Sequence, residues 1–345
     1  MKIRQILRGA AVFLAGAGIL AGCGKPAPGE DGKIYVGVTY YNQTDTYLGE
    51  LLNCLKKEWK ERESEKVDIT VTVREAAGSQ RTQDDQVKEM LDAGCNVLCV
   101  NLVDRASASE IIDLAREKDV PVIFFNREPV AEDLRQWEKL YYVGADARQS
   151  GSLQGELAAD LIWENVQIDR NRDGKIQYVV LEGEPGHQDT IIRTENAVDT
   201  MKSKGIELEK LSYGIANWNR VQAQNRMEQM IGQHQNDIEL VLANNDAMAL
   251  GAIDAYKKLN YTESTLPVFL GIDGTAEGLQ AVRDGSMYAT VYNDKEKQAE
   301  VIAELAVSLS LGQGAGDLEL ENGKSIYLPY RKVTRENVSE FPCNP

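Results

Sequence analysis

The chain of 345 residues has few of the side chains that bind zinc or form redox motifs. Its two histidines, His187 and His234, leave too few ligands for a zinc site made of Cys and His side chains. No pair of its five cysteines has the Cys-x-x-Cys spacing, and Cys95 and Cys99 flank a short apolar stretch typical of a buried strand. Buried free thiols are the expectation. A disulfide stays open for the four cysteines downstream of the first, which are Cys54, Cys95, Cys99 and Cys343.

Basic residues and catalytic motifs are also scarce. Lys and Arg number 38 against 54 Asp and Glu, for a formal net charge of −16. A chain this acidic is repelled by phosphate backbones, which argues against binding to nucleic acid. Neither Gly-x-Ser-x-Gly nor a phosphate-binding glycine loop occurs. A hydrolase that uses His187 and Asp189 as a dyad would therefore have no recognisable nucleophile, and we expect no enzymatic activity.

The first residues are typical of an export signal. Lys2, Arg4 and Arg8 precede an apolar run over residues 10–20, which is shorter than the ~20 residues that a membrane-spanning helix needs. The run ends in Leu-Ala-Gly-Cys, which resembles the bacterial lipobox, so we expect residues 1–22 to be a signal peptide and Cys23 to carry lipid. The alternative is an ordinary cleavage site beside an incidental cysteine. Residues 23–32 then form a short tether.

Short β-branched runs alternate with amphipathic stretches of helical period along most of the chain. One series of this alternation reaches Gly144, and a second begins at about Gln149. Strands that alternate with helices predict parallel sheets covered on both faces, and a chain of this length exceeds one hydrophobic core. The predicted fold is α/β, with two doubly wound parallel-sheet lobes.

Polar and aromatic side chains follow the predicted strands, where open parallel sheets bind ligands. In the order of the chain they are Asp45, Tyr47, Asn126, His187, Asp189, Arg193, Trp218, Asn245, Asp273 and Asn293. Carboxylates, amides and a guanidinium suit a neutral polyol, because each sugar hydroxyl both donates and accepts hydrogen bonds. Aromatic rings pack on the C–H face of a pyranose, which Tyr47 and Trp218 would do from opposite sides. Taken singly, such residues also serve structural roles: aspartates placed as Asp189 and Asp246 are, for example, typical helix caps.

Residues 169–177 fit the first nine positions of an EF-hand calcium loop. Oxygen-bearing side chains occupy positions 1, 3, 5 and 9, a glycine stands at position 6, and Lys175 offers its carbonyl at position 7. Position 12 is Val180 instead of glutamate, and a strand follows instead of a helix. The alternative is a turn rich in Asp and Asn.

Four further segments are recognisable together with this loop. They are Val-Ile-Phe-Phe-Asn-Arg-Glu-Pro at 122–129, Tyr-Tyr-Val-Gly at 141–144, Gly-Glu-Pro-Gly-His-x-Asp-x-x-x-Arg at 183–193 and Ala-Asn-Asn-Asp-Ala-Met-Ala at 243–249. In this order they resemble the bacterial periplasmic galactose/glucose-binding proteins over residues 34–341. The family usually has phenylalanine where this chain has Tyr47, and residues 42–44 also depart from its pattern.

The resemblance implies a ligand, a metal and an architecture. It places D-galactose or D-glucose against the ten strand-end residues named above. It implies a structural Ca²⁺, with a remote glutamate in place of position 12, held by Asp169, Asn171, Asp173, the carbonyl of Lys175, Gln177 and Glu239. It implies a three-segment hinge of the type I periplasmic binding protein kind. The N-terminal lobe would be residues 33–144 and 294–327, and the C-terminal lobe residues 145–293 and 328–345.

The expected function is that of a hexose-binding lipoprotein. On the outer face of the cell membrane it would deliver sugar to the permease of an ABC importer, as a monomer held to the membrane by its lipid alone. Two alternatives stay open at this stage. The chain could be a sugar sensor that feeds a chemoreceptor or a kinase, or it could bind another monosaccharide.

Overall fold

The structure is a computed structural model that describes residues 32–64, 67–262 and 265–342. The expected signal peptide, the lipidation site Cys23 and Cys343 lie outside the described residues, as does the tether apart from Gly32. Within the described ranges, every helix is too short or too polar to cross a membrane. Cys54, Cys95 and Cys99 are free thiols in this part of the chain, and Cys95 and Cys99 are buried as expected.

The first lobe is built on a sheet of six parallel strands. Its strands are β1 (Lys33–Tyr40), β2 (Asp68–Glu75), β3 (Val97–Val100), β4 (Val122–Phe125), β5 (Leu140–Ala145) and β11 (Ser325–Leu328). They run in the order β11-β5-β4-β3-β1-β2. Strands β3 and β4 are apolar and buried at every position, because helices cover both faces of the sheet.

Among the described residues, five helices belong to this lobe. They are α1 (Thr46–Arg62), α2 (Gln80–Asp92), α3 (Ser109–Glu117), α4 (Ala131–Leu134) and α10 (Lys295–Ser310). Helices α1 and α10 pack together on one face of the sheet, and α2 and α3 pack together on the other. Residues far apart in sequence therefore share one core.

The second lobe has a four-stranded parallel sheet and a two-stranded ribbon. The sheet is β6 (Ile176–Glu182), β7 (Leu208–Ile215), β8 (Leu240–Ala243) and β9 (Val268–Leu270), in the order β7-β6-β8-β9. The ribbon pairs β10 (Thr290–Tyr292) with β12 (Arg331–Val333) in antiparallel fashion. Single parallel bridges, Leu270 to Ala289 and Asp273 to Tyr292, connect it to the β9 edge. The helices are α5 (Ala147–Glu164), α6 (Gln188–Ser203), α7 (Arg220–His234), α8 (Asp246–Lys258) and α9 (Ala276–Asp284).

The predicted two-lobed parallel α/β fold is confirmed, with differences at its edges. Strands β11 and β12 and the short helix α4 were not predicted, because each is only three or four residues long and carries no clear period. Helix α6 begins at Gln188, directly after its N-cap His187. The chain passes between the sheets after β5, between β10 and α10, and after β11. The lobe boundaries given above stay a prediction.

Candidate ligand-binding site between the lobes

The carboxyl ends of the strands in both lobes meet at one cavity. It opens partly to solvent. Nine of the ten residues expected to bind a ligand line it: Asp45, Tyr47 and Asn126 from the first lobe, and His187, Asp189, Arg193, Trp218, Asn245 and Asp273 from the second. The topology therefore brings together residues that lie up to 228 positions apart in sequence.

Asn293, the tenth residue, is not among those that line the cavity. Its side chain is buried, and its Oδ1 atom accepts a hydrogen bond of 2.5 Å from Gln298 Nε2. Gln298 Nε2 also donates to the Tyr47 hydroxyl at 2.8 Å. In this structure Asn293 thus lies behind Tyr47 and is linked to it through Gln298.

Asp45 is held by two partners. It is the N-cap of α1, where its Oδ1 accepts from the Leu48 amide at 2.9 Å. Its Oδ2 accepts from the Tyr41 hydroxyl at 2.6 Å. A short polar side chain that satisfies a free amide in the first turn is a typical N-cap, so the start of α1 fixes this carboxylate at the cavity wall.

Asn126 is fixed by the end of β4. Its backbone takes the left-handed conformation, with φ of 60°, which asparagine adopts more readily than most residues. Its Oδ1 accepts from Asn101 Nδ2 at 3.0 Å, and its carbonyl oxygen accepts from the Tyr142 hydroxyl at 3.0 Å. The amide group of Asn126 consequently has its orientation set before any ligand arrives.

His187 is neutral in the folded protein. Burial, and then the positive charges of Arg127 and Arg193, lower its pKa well below the usual value. The residue caps α6, and its Nδ1 accepts from the Asp189 amide at 3.1 Å. With Nδ1 acting as an acceptor, the ring hydrogen lies on Nε2, so His187 presents one N–H donor.

Arg193 is a buried cation at the centre of the polar contacts. Its Nη1 donates to the Asn244 carbonyl at 2.7 Å, and its Nη2 donates to the Tyr330 hydroxyl at 3.1 Å. Asp189 lies 3.4 Å from Nη2, and Asp273 lies 3.5 Å from Nη1. Arg193 Nε is buried without a hydrogen-bond partner among the described residues, which makes it available to a ligand.

Burial sets the pKa values of these charged groups. It raises the pKa of the Asp189 carboxyl and raises that of Asp273 well above its usual value, while Arg193 opposes both shifts. For Arg193 itself, burial acts against the charged form, but Tyr330, Asp273 and Asp189 together raise its pKa. The guanidinium therefore stays charged, and the two carboxyl groups depend on it for their negative charge.

Trp218 forms an apolar wall of the cavity. Its ring is 6 % exposed and meets the His187 ring edge-on at a centroid distance of 5.2 Å. The ring packs directly against Gly183: a Cβ atom added at this glycine would be 2.1 Å from the indole, so residue 183 has no room for a side chain. Tyr47 lines the cavity from the other lobe and is 3 % exposed. That a sugar ring is held between Tyr47 and Trp218 stays a prediction.

Asp189 and Asp246 do not cap helices, although aspartates in such positions typically do. The N-caps of α6 and α8 are His187 and Asn245, in place of Asp189 and Asp246. Asn245 Oδ1 accepts from the Met248 amide at 3.0 Å, so its Nδ2 group is the part free to donate. Asp246 is instead fully buried, and its carboxylate contacts Thr275 and Thr290.

Arg127 also lines the cavity and was not predicted as a site residue. It follows Asn126 directly at the end of β4, and this strand-end position was the signal that could have identified it. Its Nη2 donates to Glu184 Oε2 at 2.7 Å, so it forms an ion pair with the opposite lobe.

The loop over residues 169–177 closes around oxygen-bearing side chains. Asp169 accepts from the amides of Asp173 and Gly174, and Asp173 accepts from Gln177 Nε2 at 2.9 Å. Glu239, from the start of β8, is 3 % exposed and accepts from the Arg170 and Gln177 amides at 2.5 and 3.0 Å. The fold therefore carries the remote glutamate to the loop.

The donor set of this loop fits a hard cation better than a transition metal. Across residues 32–64, 67–262 and 265–342, no three His, Cys, Asp or Glu side chains are placed to hold a metal ion. The loop instead combines carboxylates with the amide side chains of Asn171 and Gln177, and Asn171 Nδ2 donates to Gln177 Oε1 at 3.2 Å. Such mixed oxygen sets are those that Ca²⁺ uses.

Comparison with known proteins identifies the family. The family model of the periplasmic binding protein domain matches residues 36–314. The chain belongs to this family. It is 35 % identical, over 89 % of its own length and 91 % of the relative's, to the D-galactose/methyl-galactoside binding periplasmic protein MglB of Haemophilus influenzae. A putative rhizopine-binding protein of Rhizobium meliloti is 29 % identical over 79 % of the chain and 82 % of the relative.

Solved structures agree with this fold. An ABC transporter solute binding protein of Bacillus halodurans with bound myo-inositol aligns with a TM-score of 0.75 and 28 % identity, covering 90 % of this chain and 98 % of that one. A periplasmic solute binding protein of Actinobacillus succinogenes with bound D-allose aligns with a TM-score of 0.76 and 20 % identity, covering 89 % and 100 %. The second likeness shows the fold alone.

Membership in this periplasmic binding protein family sets the class of activity. Its members bind solutes and are not enzymes, so this chain is a binding protein that works outside the cytoplasm.

Proposed function

We propose that this periplasmic binding protein binds a neutral monosaccharide, D-galactose or D-glucose, in the interlobe cavity and delivers it to an ABC importer. The observation that carries the proposal is the composition of the cavity wall. Nine residues from both lobes combine partnered carboxylates, amides, one buried guanidinium and two aromatic rings. These groups match the alternating donors and acceptors of a sugar and its apolar ring face.

The charges of the cavity wall argue against an anionic ligand. Asp189 and Asp273 both lie within 3.5 Å of Arg193, and Arg127 is paired with Glu184. His187 is neutral, and Asp45 accepts hydrogen bonds with both of its oxygens. Arg193 is thus the one lining guanidinium left to face the three carboxyl groups of Asp45, Asp189 and Asp273, so an anionic solute would meet like charge in a buried site, which is costly.

The choice of hexose follows from the most informative relative. The protein at 35 % identity is named for D-galactose and methyl-galactoside, whereas those named for myo-inositol and D-allose share 28 % and 20 % identity. Asp45 corresponds to the carboxylate with which the galactose/glucose-binding family accepts either C4 epimer. Its contact with Tyr41 spans residues 42–44, the segment that departs from the family, so the ratio of the two affinities is a property to measure.

Isothermal titration calorimetry with D-galactose, D-glucose, D-ribose and myo-inositol tests the proposal. We expect a Kd of about 1 µM or lower for at least one of the two hexoses. Asp189→Asn should weaken that binding by about 100-fold or more, because the altered group leaves buried donors without their partner. Asp199→Asn, the same change at an exposed position of α6, is the matched control and should bind as the wild type does.

Two results would contradict the proposal. If ribose or myo-inositol gives heat of binding and neither hexose does, the ligand is a different polyol. No heat from any of the four would reject the cavity as a monosaccharide site. A sensing role remains the second candidate, and it is distinguished by whether the ligand-bound protein stimulates ATP hydrolysis by a permease complex or associates with a receptor kinase.

Two further features complete the proposal. Lipidation of Cys23 would hold the mature protein, as a monomer, on the outer face of the cell membrane, and mass spectrometry of the exported N-terminal peptide tests it. The loop residues Asp169, Asn171, Asp173, Lys175 and Gln177, with Glu239, would hold a structural Ca²⁺. That ion would neutralise carboxylates crowded in one loop and thereby stabilise the second lobe.

A further inference from the structure

Arg127 connects the two lobes at the mouth of the ligand cavity. Its side chain is 5 % exposed, whereas that of Glu184 is 32 % exposed. Nη2 donates to Glu184 Oε2 in the second lobe at 2.7 Å, and Nη1 donates to the Val103 carbonyl in the first lobe at 2.8 Å. Among the described residues, Glu184 is the one carboxylate that forms an ion pair with this buried cation.

The same guanidinium lies on an aromatic ring that holds a ligand residue. The central carbon of Arg127 is 3.4 Å from the centroid of the Tyr41 ring, a close cation–π stack. The Tyr41 hydroxyl donates to Asp45 Oδ2 at 2.6 Å. A continuous series of contacts therefore runs from Glu184 through Arg127 and Tyr41 to Asp45.

The position of Arg127 gives this series a role in closure. Arg127, His187 and Asp189 line both the ligand cavity and an adjoining cleft of about 630 Å³ that opens to solvent between the lobes. Because Glu184 belongs to the second lobe and Val103 and Tyr41 to the first, a separation of the lobes would break the ion pair and leave the other two contacts in place. A contact that only one of two arrangements makes shifts the equilibrium between them.

We propose that Arg127 is a positioning residue for ligand binding, which latches the lobes through Glu184 and orients Asp45 through Tyr41. This inference rests on the proposed function, because it assigns the latch to the same cavity. It predicts that the latch governs how long the ligand stays. Truncating one partner of an ion pair whose cation is buried acts mainly on the dissociation rate.

Stopped-flow tryptophan fluorescence with the hexose that binds the wild type measures both rate constants. Glu184→Gln keeps the shape and removes the charge, and it should raise koff by about 10- to 100-fold with little change in kon. Arg127→Gln should raise koff at least as much, since it also removes the stack on Tyr41. Arg127→Lys keeps the charge but not the planar stack, so it should restore part of the slow dissociation.

A control and a ligand-free measurement make the test decisive. Asp119→Asn breaks the ion pair with Lys139, which has the same 2.7 Å length but lies within the first lobe, and should leave koff unchanged. Without sugar, Glu184→Lys places two cations at the cleft mouth, so its radius of gyration from X-ray scattering should exceed that of the wild type.

The failures are distinguishable. A wild-type protein that binds none of the four sugars rejects the proposed function, and the scattering comparison then judges the latch by itself. If the wild type binds a hexose and Glu184→Gln dissociates within two-fold of its rate, the latch is rejected while the binding function stands. An unchanged radius in Glu184→Lys likewise means that the pair does not hold the lobes together.

Discussion

At the scale of single residues, the cavity is largely organised by contacts within the protein. Asp45, Asn126 and His187 each have a hydrogen bond that fixes the orientation of the side chain. A ligand that meets fixed groups loses less binding energy to ordering them. The aromatic wall depends on an absent side chain as well, since Trp218 occupies the space where a Cβ of residue 183 would lie.

Substituting Gly183 tests whether the position of Trp218 depends on the missing side chain at residue 183. Gly183→Ala puts a methyl group about 2 Å from the indole carbons, so the ring must move out of the cavity wall. We expect hexose affinity to fall by about 10-fold or more, with a shift in tryptophan emission and a folded circular dichroism spectrum. Gly232→Ala is the matched control, because that glycine is exposed on α7 with open space around it, and alanine there should be neutral or stabilising. Unchanged affinity in Gly183→Ala would mean that Trp218 does not contact the ligand.

At the scale of secondary-structure elements, helix starts in both lobes and one loop of the second lobe define the chemistry of the two candidate sites. The N-caps of α1, α6 and α8 are Asp45, His187 and Asn245, so three helices begin at the cavity wall. This follows from the βαβ arrangement, in which each helix begins just beyond the carboxyl end of a strand. The calcium-type loop connects α5 to β6 at the opposite end of the same strands, where Glu239 precedes β8.

Calcium removal should destabilise this lobe. A chelator should lower the melting temperature, and added Ca²⁺ should restore it, because an ion that binds the folded state alone adds about 4 kcal/mol at ~1,000 times its Kd. Glu239→Gln should abolish the response to Ca²⁺, whereas Asp199→Asn on the surface of α6 should keep it. Differential scanning fluorimetry measures all three proteins. Identical melting curves with chelator and with Ca²⁺ would refute a structural calcium ion.

At the scale of the whole molecule, two lobes share three connections and one cavity. Ligand residues come from both sheets, and further contacts cross between the lobes: Glu50 of α1 accepts from the Ala276 amide at 2.9 Å, and Lys295 donates to the Gly274 carbonyl at 3.1 Å. A ligand that contacts both lobes favours the arrangement in which all of these contacts are made.

Sugar binding should therefore compact and stabilise the protein together. At about 100 times Kd, the hexose should add ~2.7 kcal/mol to the stability of the bound state and raise the melting temperature. X-ray scattering should show a smaller radius of gyration with the hexose than without it. The Asp189→Asn variant, under the same sugar concentration, should show neither change. Stabilisation of the wild type without compaction would place the ligand on one lobe alone.

Much of the fold could be predicted from the sequence, because its signals are local. Apolar runs mark strands β3 and β8, which are buried at every position, and helical periodicity marks the long helices. Strands β11 and β12 lacked such a signal: their pairing partners, β5 and β10, lie far away in the chain. The order of strands in each sheet was likewise out of reach, since it is set by long-range packing.

The sequence by itself determined the two-lobed α/β class and the strand-end residues that line the cavity, because hydrophobic period and strand ends are properties of neighbouring residues. The tertiary structure decided how these residues pair. It placed Asn293 behind Tyr47, made His187 a helix cap, and joined Arg127 to Glu184 across the cleft. Those contacts connect separate elements, and in the case of Arg127 and Glu184 separate lobes, so their geometry exists only once the chain has folded.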